Sequence, residues 1–188
     1  MQAFDSLSRD IQQYIYDKGW PSLTSIQNAA IKQVANTDHN LILSAPTASG
    51  KTEAAFIPAL NSVEDWETGL KVLYISPLKA LINDQFQRIS ELSEYLDIPI
   101  TRWHGEVSQA QKRKVVNQPK GVLLITPESI EGMLVNRPGE AQHLFKGVEW
   151  IIIDELHSFL GTERGIHLQS LLQRISQFMQ APRFIAMS

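Results

Sequence analysis

Two short segments carry residue types suited to phosphate chemistry. The first is Leu41-Ile-Leu-Ser-Ala-Pro-Thr-Ala-Ser-Gly-Lys-Thr52. An apolar run enters a loop of small residues that ends in Gly50-Lys51-Thr52, ahead of a helix-compatible stretch. Strand, small-residue turn and helix start are the parts of a phosphate-cradling P-loop. Backbone N–H groups and the positive end of the helix dipole face an anion there. Lys51 reaches the β- and γ-phosphates as a point charge, and Thr52 places its hydroxyl on Mg²⁺. The pattern G-x-x-x-x-G-K-[ST] asks for glycine where Ala45 stands. The second segment, Val148-Glu-Trp-Ile-Ile-Ile-Asp-Glu-Leu-His157, is a buried-strand pattern that delivers two adjacent carboxylates at its C-terminal end. Asp154 fits the Mg²⁺-holding role, and Glu155 that of positioning or activating the attacking water. An ordinary turn and a charged strand end are the bland readings of each segment alone. The pairing of the two disfavours both.

Open α/β sheets place ligands beyond the C-terminal ends of their strands, so both segments need such a sheet. Strand-like and helix-like segments do alternate. Candidate strands are Asn40–Ser44, Lys71–Ser76, Ile98–Trp103, Gly121–Thr126, Val148–Asp154 and Arg183–Met187. Several are continuous apolar runs, the pattern of a parallel sheet buried on both faces. The clearest helix is Gly165–Gln180, where Leu168, Leu171, Leu172, Ile175, Phe178 and Met179 recur at helical spacing as a core-facing stripe. The expected architecture is a doubly wound α/β sandwich.

Size and composition agree. The chain has 188 residues, enough for one domain with a core, and is 43% hydrophobic and 20% charged. Net charge is −3, so nucleic-acid binding would have to rest on local groups. There is no cysteine, which excludes disulfides and thiolate metal sites and suits a cytoplasmic protein. The apolar runs fall short of a membrane span, and Met1-Gln-Ala-Phe-Asp5 lacks the basic and apolar regions of a secretory leader. The sequence stops on the strand-like Arg183-Phe-Ile-Ala-Met-Ser188, which reads as a fragment of a longer protein.

The motifs together resemble the first RecA-like domain of a superfamily-2 nucleic-acid helicase of DEAD/DEAH-box type, from about Phe4 to Ser188. Gly19-Trp-Pro-Ser-Leu-Thr-Ser-Ile-Gln27 is similar to the Q motif, and Ala45–Thr52 to motif I, where this family commonly has alanine first. Ser76-Pro-Leu-Lys-Ala-Leu81 and Ile125-Thr-Pro-Glu-Ser129 resemble motifs Ia and Ib. Asp154-Glu-Leu-His157 is a DExH form of motif II, and Met187-Ser188 the start of motif III. Trp103-His-Gly-Glu-Val-Ser108 and Gly161-Thr-Glu-Arg-Gly-Ile-His-Leu168 are most similar to large-helicase-related proteins. The resemblance implies a RecA-like P-loop NTPase fold, a three-layer sandwich with a mostly parallel sheet. It implies ATP and Mg²⁺ as cofactors, single-stranded or partly duplex DNA or RNA as partner, and a second RecA-like domain outside this chain.

It also assigns roles. Gln27 would read adenine through its amide, with Phe4 either stacking on the ring or packing in the core. Thr47, Ala48, Ser49, Gly50, Lys51 and Thr52 would form the phosphate cradle, and Ala48, where many relatives carry glycine, is expected to keep φ negative. His157 would couple the ATP site to motif III or be a plain surface histidine. Its spacing is wrong for a metal ligand. Pro77, Leu78 and Lys79, with Thr126, Pro127 and Glu128, would offer backbone N–H groups and hydroxyls to phosphates. Trp103, His104 and Gly105 would add stacking or close backbone approach, with core packing as the other reading of Trp103. Gln111-Lys-Arg-Lys114 reads as a solvated helix face. Two further readings compete: a P-loop ATPase or switch acting on proteins, and a nucleotide-binding module without turnover. The phosphate-facing loops argue against the former, and the Asp154-Glu155 pair against the latter.

Overall fold

The computed structural model describes residues 2–46 and 48–188. Six strands form one sheet: β1 (Leu41–Leu43), β2 (Gly69–Ile75), β3 (Ile100–Trp103), β4 (Lys120–Ile125), β5 (Trp150–Ile153) and β6 (Arg183–Met187). Their order is β1-β6-β5-β2-β4-β3, and every pairing is parallel. All six expected strands are present, most of them a residue or two displaced at the ends, where apolar pattern gives way to local hydrogen bonding. The continuous apolar runs are explained by burial on both faces. Along β5, Trp150 and Ile152 enter one core, and Ile151 and Ile153 the other.

Helices cover both faces. The first core is roofed by α1 (Arg9–Asp17), α2 (Ser25–Asn36), α3 (Lys51–Ser62) and α4 (Lys79–Tyr95). The second is roofed by α5 (Gln109–Asn117), α6 (Pro127–Asn136), α7 (Pro138–Phe145) and α8 (Glu163–Ser176). Helix starts follow capping chemistry: Ser8, Thr24, Ser108, Thr126 and Thr162 each accept a backbone N–H in the first turn of their helix. Thr162 starts α8 two residues before the expected Gly165, and the helix ends at Ser176 rather than Gln180. Leu168, Leu171 and Ile175 are buried, while Leu172 and Phe178 lie at the fringe of the core.

Gly121 shows how tightly the edge of the sheet is built. Its φ is +69°, and a Cβ there would lie 1.9 Å from the Pro99 carbonyl oxygen. Among the described residues, no helix is long and apolar enough to cross a membrane.

Candidate functional site

The loop after β1 and the turn after β5 meet at the C-terminal edge of the sheet. Strand β6 lies between these two strands, and the residue that follows it ties them together. Ser188 N–H donates to the Leu43 carbonyl at 3.0 Å, and the Ser188 carbonyl accepts from Ala45 N–H at 3.3 Å. The Ser188 hydroxyl lies 3.3 Å from His157 Nδ1, and His157 Nε2 lies 3.1 Å from Glu155 Oε2. His157 therefore contacts both Glu155 in the turn after β5 and Ser188 after β6.

The loop itself is ready for an anion. Gly50 has φ +83°, and the ammonium of Lys51 is held by the Ala45 and Pro46 carbonyls at the mouth of the loop. Among the described residues Ser49 Oγ is buried without a hydrogen-bond partner, a polar atom whose need a phosphate oxygen would meet. Ala48 has φ +62°, so the expected negative φ is wrong. The loop must curl to aim successive N–H groups inward, and that curl forces a left-handed residue even where a Cβ resists it. Thr47 lies outside the described residues.

On the acidic side, Asp154 is 6% exposed. Its Oδ1 accepts the Glu155 N–H at 2.9 Å, and its Oδ2 accepts the buried hydroxyl of Tyr74. Burial pushes the Asp154 carboxyl above the ordinary carboxylate value. The Tyr74 and Glu155 hydrogen bonds and the charge of Lys51 pull it back. Tyr74 stacks on Phe56 of α3, with ring centroids 5.4 Å apart, so its hydroxyl is fixed by core packing. Glu155 sits at φ +48°, a left-handed turn that lifts its carboxylate out of the strand line. Thr52, in the first turn of α3, is 7% exposed, and with Asp154 it supplies two oxygen donors of the kind Mg²⁺ takes.

Gln27 is placed less openly than its expected role suggests. It is 4% exposed. Its Oε1 accepts Thr24 N–H at 2.9 Å as the second half of a capping box, and its Nε2 donates to the Gly50 carbonyl at 3.5 Å. Phe4 packs against the first core and lines a cavity of about 400 Å³ with Trp20, Pro21 and Leu23; Gln27 is not part of that wall.

The expected nucleic-acid loops share the same edge. Leu78 is exposed at the start of α4, and Lys79 pairs with Glu106. The Thr126 hydroxyl is occupied in capping Ser129 N–H, and Pro127 is buried at the first turn of α6. The fold decides between the two readings of Trp103 and corrects the one for His104. Trp103 is 7% exposed in the second core, covered by Lys112, so its ring is no stacking platform. His104 is 4% exposed, held at 3.2 Å by Asn83 Oδ1 and accepting Glu106 N–H, because the end of β3 turns back into the core there. The Glu128 carboxylate is paired with Arg164 at 2.7 Å. Gly105 faces open space, free for close approach. Gln111, Arg113 and Lys114 are exposed, as a solvated face should be. A cavity of about 660 Å³ lies away from the P-loop and the DExH turn, along the free edge of β3 between Phe86, Arg102 and Lys114.

A model of the DEAD/DEAH box helicase family matches residues 24–188. The chain belongs to this family. Among DEAD/DEAH box helicases it is similar to the ATP-dependent helicase Lhr-Core of Methanocaldococcus jannaschii, with 29% identity across 94% of this chain and 22% of that protein. It is also similar to the Lhr helicase/uracil glycosylase of Escherichia coli, with 34% identity across 83% of this chain and 11% of that protein. The structure of Mycobacterium smegmatis helicase Lhr bound to ssDNA and AMP-PNP superimposes with a TM-score of 0.87 at 28% identity, covering all of this chain and 25% of that one. The chain thus spans about a quarter or less of these relatives.

Against the family pattern, Lys51, Thr52, Asp154, Glu155 and His157 are brought to one edge, while Phe4 and Gln27 are not brought to one cavity wall. Two residues escaped the sequence reading. Tyr74 looked like one more apolar strand position, and only its partner reveals the hydroxyl's purpose. Arg164 lay inside a quoted motif with no role attached.

Proposed function

We propose that this chain is the ATP-binding lobe of an ATP-dependent nucleic-acid helicase or translocase, a single domain of a longer protein with two RecA-like domains. The observation that carries this is the continuous contact path from the P-loop through Ser188 and His157 to Glu155 and Asp154. Lys51 and the N–H groups of residues 48–52 bind the phosphates of ATP. Gln27 contacts the loop side of the base, reached by a shift of its amide away from Thr24. Thr52 and Asp154 hold Mg²⁺, which supplies charge neutralisation at the outer phosphates. Glu155 orients the attacking water and takes up its proton, and His157 reports on that carboxylate to motif III. Single-stranded DNA or RNA runs across the loops after β2, β3 and β4, bound through its backbone. The similarity to helicases, with ssDNA and AMP-PNP on one solved relative, supports both ligands.

Calorimetric titration with Mg·ADP and Mg·GDP, beside the Lys51→Ala variant, tests the reading. The expected result is adenine-selective binding, lost in Lys51→Ala with the fold intact. Equal binding of both nucleotides would remove Gln27 as base reader, and unchanged affinity in the variant would refute the phosphate cradle.

A further inference from the structure

We infer that Arg164 is the positioning residue of the nucleic-acid face, clamping the loop before α4 to the start of α6 so that the two phosphate-facing helix ends keep a fixed spacing. The inference rests on the nucleic-acid reading above. One guanidinium nitrogen, Nη2, donates to the Pro77 carbonyl at 2.8 Å and to Glu128 Oε1 at 2.7 Å. Pro77 lies two residues before the first residue of α4, and Glu128 is the second residue of α6. The planar cation also lies 5.6 Å from the centre of the Phe159 ring, which fixes the direction from which it reaches across.

The residue after it explains why the arginine sits there. A Cβ on Gly165 would lie 2.0 Å from the Phe159 carbonyl oxygen. Only glycine lets the first turn of α8 press onto the turn that follows Asp154 and Glu155, and that closeness brings Arg164 within reach of both loops. The grip continues down the helix. His167 lies 3.0 Å from Glu131, and Arg174 pairs with the same carboxylate. Glu131 is one turn beyond Glu128 on α6. The hydrogen bond from Arg174 holds its carboxyl below the ordinary glutamate value. A cationic face of α8 thus meets an anionic face of α6. The Arg164–Glu128 pair is itself half-exposed, so its contribution to stability is small and its value lies in geometry. Because α8 begins just after the DExH turn, any shift of that turn moves Pro77 and Glu128 together.

Anisotropy of a fluorescein-labelled twelve-residue oligothymidylate on the 188-residue chain tests this, with Mg·ADP titration and thermal melting as controls. Arg164→Ala is expected to weaken oligonucleotide binding about tenfold while ADP affinity and melting stay close to wild type. Arg164→Lys, which keeps the charge but loses the flat guanidinium face packed on Phe159, should be nearly as weak. Glu128→Gln decides the question most sharply: positioning predicts weaker binding, although an anion beside the phosphates has been removed. Tighter binding by Glu128→Gln, or unchanged binding by Arg164→Ala, would overturn the inference. A wild-type chain that binds Mg·ADP but no oligonucleotide would sink the nucleic-acid reading, and this inference with it.

Discussion

Asp154 owes its orientation to a buried hydroxyl on β2. Tyr74 donates to Oδ2 from within the first core, leaving the carboxylate one fixed face toward the P-loop. Tyr74→Phe leaves that oxygen buried without its donor, so stability should fall by about 2 kcal/mol in thermal melts. The sharper outcome is a loss of Mg²⁺ dependence: ADP affinity should drop several-fold with Mg²⁺ and change little in EDTA. Ala48 carries the opposite kind of signal. At φ +62° its Cβ is strained, so Ala48→Gly should raise stability by about 1 kcal/mol by melting, offset partly by the freer unfolded chain. A variant no more stable than wild type would mean that the loop relaxes without ligand.

At the scale of elements, the turn after β3 is built inward. His104 is buried between Asn83 and the Glu106 backbone, and burial, with Arg102, Lys112 and Lys79 nearby, holds it below the ordinary histidine value; Glu106 opposes them. The unfolded chain takes up this proton near pH 6.5, where the folded chain still refuses it. Stability is therefore fully present above that pH and is lost as pH falls through the window below it. Denaturant midpoints between pH 7.5 and 5 should show this decline, and His104→Gln should flatten it. Trp103 belongs to the same turn. Trp103→Ala should cost about 3–5 kcal/mol as a core truncation, seen as a lowered melting temperature before any oligonucleotide is added. A variant with normal stability and weakened strand binding would restore the stacking role.

At the scale of the molecule, the P-loop and DExH side chains line one open edge, with Glu155 and His157 partly exposed. On the proposed reading, a second RecA-like domain would supply arginines to the transferred phosphate, and this lobe alone would lack that transition-state charge. The isolated chain should bind nucleotide yet hydrolyse it far below the typical enzyme median of about 10 s⁻¹, measured by phosphate release. The sequence by itself determined the strands, the parallel sheet and the P-loop and DExH residues, because buried runs, turn glycines and motif spacing are local properties. It put the loops after β2 and β4 at the C-terminal edge of the sheet for the same reason. What it left open was which way each side chain faced. Trp103 read equally as a stacking ring or a core residue and His104 as a surface group, and the bend at the end of β3 buries both. Glu128 read as part of a loop offering backbone N–H groups, and only the fold shows that α8 supplies its carboxylate a counter-ion from 36 residues away. Tyr74 and Arg164 became visible only through partners 80 and 87 positions distant. Such pairings are set by the packing of whole layers, and no window of neighbouring residues encodes them.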